Sequence, residues 1–432
     1  GIRKFFKLNN SVDSLVHFGS ELVFKDASTY TCILNLTKNV KEKIKFKKIS
    51  PTKLSESFVW DTMLYNNLSS ENWDLQGQKV FDVIEKLKIQ PYTVNDVFSK
   101  VFVGLQTSLD AVYVFEGRYK EDYFEGYNSK YDYHFEIEKE LIKPVLGGKD
   151  VLRYNLNSNH NFVLFPYKKD GTPVSEEYIK NNLPKTYSYL KHFETEIRGR
   201  EKGKMDTDEG WYLYIYQKNH EKFPSPKIMT REISLGCSMT YDSDGKYYHN
   251  TKVYSFIKNE KFKIDEKYYL GILNSKLMWF FIKNTGSEYS GGYYVFKTNY
   301  LKPFPLPAIP NNHKVLIKNV ENILAFNKTL QSISAKFKRA LSREFSEQLE
   351  SLSNKLELWY DLTFEEFIIE LKKKKIVFKI GEDSYLEDYF LQEQQKAVEV
   401  KSKISKIDKE IDQMVYDLYG LTKEEIEIVE NS

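Results

Sequence analysis

The sequence lacks the glycine patterns on which nucleotide-binding loops are built. No two of its 20 glycines are separated by a single residue, which excludes a Gly-x-Gly cofactor loop, and no glycine spacing matches the P-loop. The Gly-x-Ser-x-Gly elbow of serine hydrolases is missing. None of the seven histidines forms a His-x-x-x-His zinc pair, and none of the 12 prolines is followed by another. The chain therefore carries no familiar cofactor or catalytic loop of its own.

Cysteine and long apolar segments are also scarce. Only Cys32 and Cys237 occur, too few for a disulfide framework or a cysteine-based metal site. The longest fully apolar run, residues 277–282, is far shorter than the roughly 20 residues that cross a bilayer. The amino-terminal residues GIRKFFKLNN contain no apolar signal core. These absences predict a cytoplasmic protein with no membrane partner and no metal site.

Charge is balanced overall, with 64 basic and 61 acidic residues and a net charge of +3. The average therefore indicates no class of partner, and candidate surfaces have to be sought where charges cluster. The length of 432 residues suits two or three domains.

The beginning of the chain has strand character. VDSLVHFG and YTCILNLTK are short apolar runs, typical of strands in a sheet that is covered on both faces. Two or three such strands cannot form that sheet alone, so residues 1–50 are predicted to be the carboxy-terminal remnant of an α/β domain. Residues 51–87 are predicted to be a connector with a short amphipathic helix near residues 80–87.

Residues 88–310 form the most strand-rich stretch. AVYVFEG, NFVLFPY and WYLYIYQ alternate as strands do, and DSDGK at residues 242–246 is predicted to be a hairpin turn. Helical segments are expected from residue 183 and from residue 266. The stretch predicts an α+β domain with a mixed or antiparallel sheet.

Residues 311–432 are predicted to be helical. Thr363 with Glu366, and Thr422 with Glu425, fit capping boxes at helix starts. A helical stripe ends at Gly420 and is typical of a packing surface; it consists of Val400, Ile404, Ile407, Ile411, Met414 and Leu418.

Two phrases carry most of a family resemblance. VFVGLQTSLD matches at Gly104 and Thr107, with Ser108 where a glycine is usual. LIKPVLGGKDVLRY matches at Ile142, Lys143, Pro144, Gly148, Lys149 and Asp150, with Gly147 in place of a common arginine. With later phrases in the same order, they resemble the target-recognition part of the TaqI-like, gamma-class adenine-N6 DNA methyltransferases, which often belong to type IIG restriction–modification enzymes.

The resemblance implies a role in recognising DNA rather than in catalysis. The family's cofactor loop and Pro-Pro motif would precede residue 1, so no cofactor is expected in this chain, whereas S-adenosylmethionine is expected for the parent enzyme. Double-stranded DNA and an upstream methyltransferase domain of the same parent chain are the partners implied. Enzymes of this class flip the target adenine out of the helix, and this chain alone is not expected to methylate it.

Four stretches of residues 88–310 are candidates for DNA contacts, because base edges are read by polar side chains while Lys and Arg hold phosphates. A strand end offers base readers, a Gly-basic loop offers phosphate contacts, a Gly-Gly segment allows close approach, and a polar turn adds a fourth candidate. Their predicted contact residues are, in that order, Arg231, Glu232 and Ser234; Arg198, Arg200, Lys202 and Lys204; Ser290, Tyr293 and Lys297; and Gln106 and Thr107.

Other interpretations stay open at this point. The strand end is equally an exposed ion pair, and the basic loop is equally a solvated loop. The chain as a whole could be a protein-interaction or structural fragment whose helical tail is an assembly surface. A metal nuclease is a third hypothesis; its best triplet, residues 244–246, lies in the predicted turn.

Overall fold

The computed structural model describes residues 1–24, 26, 29–68, 73, 75–157, 161–345, 352–376 and 384–432. No helix within these ranges is long and apolar enough to cross a membrane. The chain forms two compact units: the first contains residues 1–266, 272–310 and 416–432, and the second contains residues 267–271 and 311–415. The α+β fold class is confirmed.

A small mixed sheet opens the first unit, in the order β2-β1-β3-β4, with β1 and β3 parallel. Val12, Ile44 and Met63 form the centre of its core. The edge strand β2 leaves most of its side chains exposed, so the expected cover on both faces is absent from the described residues. These elements are α1 (Ile2–Asn9), β1 (Val12–His17), β2 (Cys32–Leu36), β3 (Lys43–Lys48), β4 (Asp61–Leu64) and α2 (Gln78–Lys88).

Helix α2 matches the predicted connector helix, since it buries Val83, Ile84 and Leu87 on one side. The elements that follow it up to the basic loop are β5 (Tyr92–Thr93), α3 (Val94–Val97), β6 (Phe98–Val103), α4 (Asp110–Tyr113), β7 (Val114–Tyr119), β8 (Phe124–Asn128), β9 (Tyr133–Ile137), β10 (Ile142–Leu146), β11 (Val151–Leu152), β12 (Asn155–Leu156), β13 (Asn161–Leu164), α5 (Glu176–Asn182), α6 (Pro184–His192), α7 (Glu194–Arg198) and α8 (Arg200–Gly203).

The rest of the strand-rich part alternates short strands with two buried helices. Its elements are β14 (Lys227–Arg231), β15 (Ile233–Ser234), β16 (Met239–Asp242), β17 (Tyr248–His249), β18 (Val253–Lys258), α9 (Glu266–Leu273), α10 (Lys276–Thr285), β19 (Glu288–Tyr289), β20 (Tyr293–Val295), α11 (Thr298–Leu301) and β21 (Pro305–Leu306). The last strand pairs with β5.

Two sheets position the candidate surface. One has six strands in the order β17-β10-β13-β7-β8-β9, and the other has four in the order β16-β14-β18-β6. A three-stranded sheet, β15-β20-β19, adjoins the end of β14. An aromatic-rich core, including Tyr113, Phe165, Trp211 and Tyr214, fills one face of the six-stranded sheet.

Three local predictions were wrong. WYLYIYQ is not a strand, because Trp211 to Tyr214 are all buried and their side chains cannot alternate between core and solvent. AVYVFEG begins as the helical turn α4 before it becomes β7. Residues 242–246 do turn, but β16 pairs with β14 whereas β17 pairs with β10, so no hairpin forms.

The second unit is helical, as predicted for this region. Both capping boxes are present, Thr363 with Glu366 and Thr422 with Glu425, although the latter belongs to the first unit. The predicted stripe on α15 is buried at Val400 and Ile411 and half-buried at Ile404, Ile407, Met414 and Leu418. The helices after residue 311 are α12 (His313–Glu344), α13 (Asn354–Glu357), α14 (Phe364–Lys373), α15 (Ser384–Leu418) and α16 (Lys423–Glu430), of which α16 and the last residues of α15 belong to the first unit.

Candidate nucleic-acid interface

Arg200 is a buried structural clamp, which corrects its prediction as a phosphate contact. The residue is only 4% exposed. Its guanidinium donates to the carbonyl oxygens of Ile197 (2.7 Å), Thr107 (2.9 Å), Trp211 (3.0 Å) and Leu213 (2.8 Å). Burial lowers its pKa. Because these bonds engage all three nitrogens of the planar guanidinium, the side chain ties the basic loop to the turn at residues 106–108.

That turn is held from inside as well. Thr107 is 2% exposed; its hydroxyl bonds to the Asp110 carboxylate and accepts from the Leu109 N–H (3.1 Å). A buried side chain cannot reach a base, so Thr107 shapes the turn instead of contacting DNA. Ser108 adopts φ +60°, a left-handed conformation that favours glycine, which explains why a glycine is usual there.

Gln106 is the exposed member of the turn. Its backbone bridges to Tyr216, and it lines an open cavity of about 510 Å³ together with Lys130, Tyr216 and Thr251. An amide beside an aromatic ring, a hydroxyl and a cation is chemically suited to hydrogen-bonding base edges and phosphates.

The rest of the basic loop divides into held and exposed cations. Arg198 bonds to Glu194 (2.9 Å) and to the Thr207 carbonyl (2.7 Å) and lies over Trp211, so it acts mainly within the protein. Lys202 and Lys204 are exposed. Lys202 adopts φ +64° at the loop tip, which leaves these two lysines as the loop's candidates for phosphates.

The strand-end pair proves to be part of a larger charge cluster. Glu232 lies between two lysines, with its carboxylate 3.1 Å from Lys252 Nζ and 3.5 Å from Lys297 Nζ. Its side chain is 13% exposed, whereas those of Lys252 and Lys297 are 65% and 49% exposed. Two exposed lysines therefore share one half-buried acid.

Arg231 and Ser234 are less accessible than predicted. Arg231 is half-buried, its Nε donates to the Val151 carbonyl (2.6 Å), and burial lowers its pKa. Ser234 is 2% exposed and its hydroxyl bonds to that of Ser238 (3.2 Å), so its prediction as a helper in base reading is corrected. Arg231 keeps other guanidinium donors for a base edge.

The Gly-Gly segment packs beside this cluster. Strand β15 pairs with β20 through Ile233–Val295, and the Phe296 N–H donates to the Glu232 carbonyl (2.7 Å). Ser290, Tyr293 and Lys297 are exposed, as their prediction requires. Phe296 and Phe304 are buried and belong to the core.

Residues 249–252 join the two halves of the surface. Leu105 bridges to Asn250, while the Glu232 N–H donates to the Lys252 carbonyl (2.8 Å). Gly104 makes this approach possible, because a Cβ there would lie 2.1 Å from the Asn250 carbonyl oxygen. The four predicted stretches are therefore neighbours linked by backbone contacts, and we call their exposed and half-buried residues, with Lys130, Tyr216, Thr251 and Lys252, the reading surface.

Sequence reasoning missed several members of the reading surface. Lys252 lies shortly after the predicted hairpin turn at residues 242–246. No other lysine or arginine neighbours it in the sequence, so no cluster of charge marked it as a candidate. Lys130 and Tyr216 are far from Gln106 in the sequence, and only the folded chain brings them to the same cavity. The signal that could have found Lys252 is Gly104, whose close backbone approach brings residues 249–252 beside Gln106.

The reading surface is a loop-built, cation-edged surface on a rigid α+β scaffold, as proteins use to contact nucleic acid. No group of three His, Cys, Asp or Glu residues is placed to hold a metal within the part of the chain that the structure describes.

Parts of the chain match known protein families. Residues 143–306 match the TaqI-like C-terminal specificity domain, and residues 309–415 match a domain of unknown function (DUF8810). The type II restriction enzyme and methyltransferase RM.Eco57I from Escherichia coli is 27% identical over 336 residues, which cover 71% of this chain and 33% of that protein. The chain thus spans about one third of the length of this relative.

Two solved structures of restriction enzymes align with nearly the whole chain at low identity. The type IIL restriction–modification enzyme MmeI, solved with DNA, has a TM-score of 0.47 and 12% identity over 98% of this chain and 45% of its own. The type IIG restriction endonuclease BpuSI has a TM-score of 0.37 and 10% identity over 96% of this chain and 45% of its own.

Proposed function

We propose that this chain reads the sequence of double-stranded DNA for a site-specific adenine-N6 methyltransferase of a type IIG restriction–modification system. The observation that carries the proposal is the convergence of four separate stretches on one reading surface, three of them within residues 143–306, which match a TaqI-like specificity domain. The methyl donor, S-adenosylmethionine, would be bound by the methyltransferase part of the parent enzyme. The proposed location is the cytoplasm.

The proposal divides the reading surface into two roles. Lys252, Lys297, Lys202 and Lys204 contact phosphates, because they are exposed and carry flexible point charges. Gln106, Arg231, Ser290 and Tyr293 read base edges: an amide pairs well with adenine and a guanidinium with guanine. Glu232 positions its two lysines. A carboxylate oxygen that the lysines do not occupy accepts a hydrogen bond from the amino group of cytosine.

The proposed contact with the methyltransferase domain lies elsewhere, on the amino-terminal residues. Helix α1 exposes Ile2 (68%), Phe5 (60%) and Leu8 (74%), and β2 exposes side chains on both faces. Apolar surface of this extent is typical of an interaction site, and a strand at the edge of a sheet, as β2 is among the described strands, can accept a further strand. In this proposal the protein-interaction surface of the chain is limited to a contact between these amino-terminal residues and the linked methyltransferase domain.

Salt-dependent binding to random duplex DNA tests the phosphate role. Removing one cation that touches a phosphate should reduce the slope of log K against log salt by about one unit. The double variant Lys252→Ala, Lys297→Ala should therefore lower the slope by about two. Lys185→Ala is the matched control, since this exposed lysine pairs with Glu136 on β9, the opposite edge of the six-stranded sheet from β17.

The results separate the alternatives. An unchanged slope in the double variant would exclude these lysines as phosphate contacts, and a drop of similar size in the Lys185 control would indicate a diffuse charge effect. No binding by the wild-type chain at low salt would leave the proposal without support.

A further inference from the structure

Two neighbouring loop tips expose apolar side chains at the edge of the reading surface. Leu235 follows β15 and is 64% exposed. Tyr289 and Tyr293 face each other across the β19–β20 pair and are 50% and 41% exposed. We call these three residues the apolar tip. An exposed leucine alone needs no explanation, but three large apolar side chains side by side on loop ends form a patch.

The backbone holds Leu235 outward on a short turn. The hydroxyls of Ser234 and Ser238 bond across the base of the turn (3.2 Å). Gly236 has φ +115°, with nothing within 4 Å of a Cβ built on it, whereas a Cβ on Gly292 would lie 3.8 Å from Leu235 Cδ1. Leu235 is therefore close to the β19–β20 turn on the side of Gly292, and the space beside Gly236 is open.

Cations stand on both sides of the apolar tip. Lys252 and Lys297 pair with Glu232, which precedes β15. Lys48 pairs with Glu288, which precedes Tyr289. An apolar projection with lysines on either side is complementary to a nucleic-acid duplex, in which a stack of apolar base faces lies between two rows of phosphates. Proteins that distort DNA insert Leu, Phe, Ile or Met between base pairs in this way.

We propose that Leu235 is a wedge that enters the bound duplex and unstacks a base step, with Tyr289 and Tyr293 covering the exposed bases. The inference rests on the proposed function, because the occupant is the same duplex DNA. The lysines hold the two backbones while the leucine separates neighbouring bases, so this part of the protein would help to open the helix as well as to read it.

The test uses the full chain and a duplex that the chain itself has enriched from a random-sequence pool. Unstacking is measured by permanganate reactivity of thymines and by the fluorescence of 2-aminopurine placed at each adenine in turn. The wild-type chain should raise one or more of these signals on binding. Leu235→Ala should abolish the rise and weaken binding about tenfold, because less apolar surface is buried, with no change in salt slope because no cation is removed.

Two further variants complete the design. Leu235→Met keeps an apolar side chain of similar volume and should retain most of the unstacking signal. Leu391→Ala is the matched control, because Leu391 is 47% exposed on α15 of the second unit and should change neither signal nor affinity.

Failure of the wedge is distinguishable from failure of the proposed function. A wild-type chain that binds without unstacking, or a Leu235→Ala variant that unstacks as well as wild type, overturns the wedge and leaves DNA reading intact. A wild-type chain that binds no duplex overturns both. If Leu235→Ala alters only self-association of the chain, the apolar tip is a protein contact and the wedge is wrong.

Discussion

Replacing Arg200 distinguishes a structural clamp from a DNA contact. The buried guanidinium makes four hydrogen bonds to carbonyl oxygens and lies over the Tyr113 ring. Hydrogen bonds to charged groups each contribute about 1.5–3 kcal/mol, but the desolvation of the charge offsets much of that sum. Arg200→Ala removes the donors and leaves buried carbonyls unpaired, at a cost of about 1–3 kcal/mol each, so we expect it to reduce the free energy of unfolding by about 3–5 kcal/mol.

Urea unfolding followed by circular dichroism measures this change. Arg200→Lys should recover little stability, because an ammonium has three donors and cannot reproduce the planar fork. Lys202→Ala, two residues away, is the control: it should leave stability within about 0.5 kcal/mol of wild type and should lower the salt slope of DNA binding by about one unit. The clamp interpretation is refuted if Arg200→Ala is as stable as wild type and only its salt slope falls.

Three further predictions concern stability. Ser108→Gly should raise the free energy of unfolding by about 1 kcal/mol in urea titrations, since glycine adopts φ +60° without strain; a decrease in stability would contradict this. Gly104→Ala should destabilise the fold and weaken DNA binding, because its Cβ would collide with the Asn250 carbonyl; wild-type behaviour in both would refute it. Burial lowers the pKa of His220 from 6.5 to about 4. As the pH falls below 6.5, His220 becomes protonated in the unfolded state, whereas in the folded state it stays neutral until the pH approaches 4. The free energy of unfolding should therefore decline by up to about 3 kcal/mol between pH 6.5 and 4. His220→Phe should flatten this decline, and an equally steep decline in that variant would show that other groups cause it.

The sequence predicted the helices and many strands well, because helix caps and apolar spacing depend only on residues that are close together in the chain. The capping boxes at Thr363 and Thr422 and the apolar spacing in α2 need only a few neighbouring residues. The local pattern of WYLYIYQ gave a wrong prediction, because alternation of aromatic residues indicates a strand. In the structure Trp211 to Tyr214 are all buried in irregular backbone. Arg200 donates hydrogen bonds to the carbonyls of Trp211 and Leu213 in this segment.

The candidate surface was predicted in its parts but not in its arrangement. Polar and basic residue types in Gly-containing loops indicated where contacts could arise, and half of the twelve predicted residues are exposed. Residue type alone could not show that Arg200 turns inward, since burial of a charge depends on carbonyls supplied from distant segments. Nor could it show that Lys252 and Lys297 share Glu232, because the two lysines are brought there by separate strand pairs, β14 with β18 and β15 with β20.

Selection of duplexes from a random-sequence pool tests the central claim most directly. If the chain reads base sequence, repeated rounds of binding at moderate salt should enrich one short motif, and Gln106→Ala should relax the preference at one or two positions of it while leaving the salt slope unchanged. A pool that stays unbiased although the wild-type chain binds duplex DNA would contradict the account, because the reading surface would then hold phosphates without reading bases.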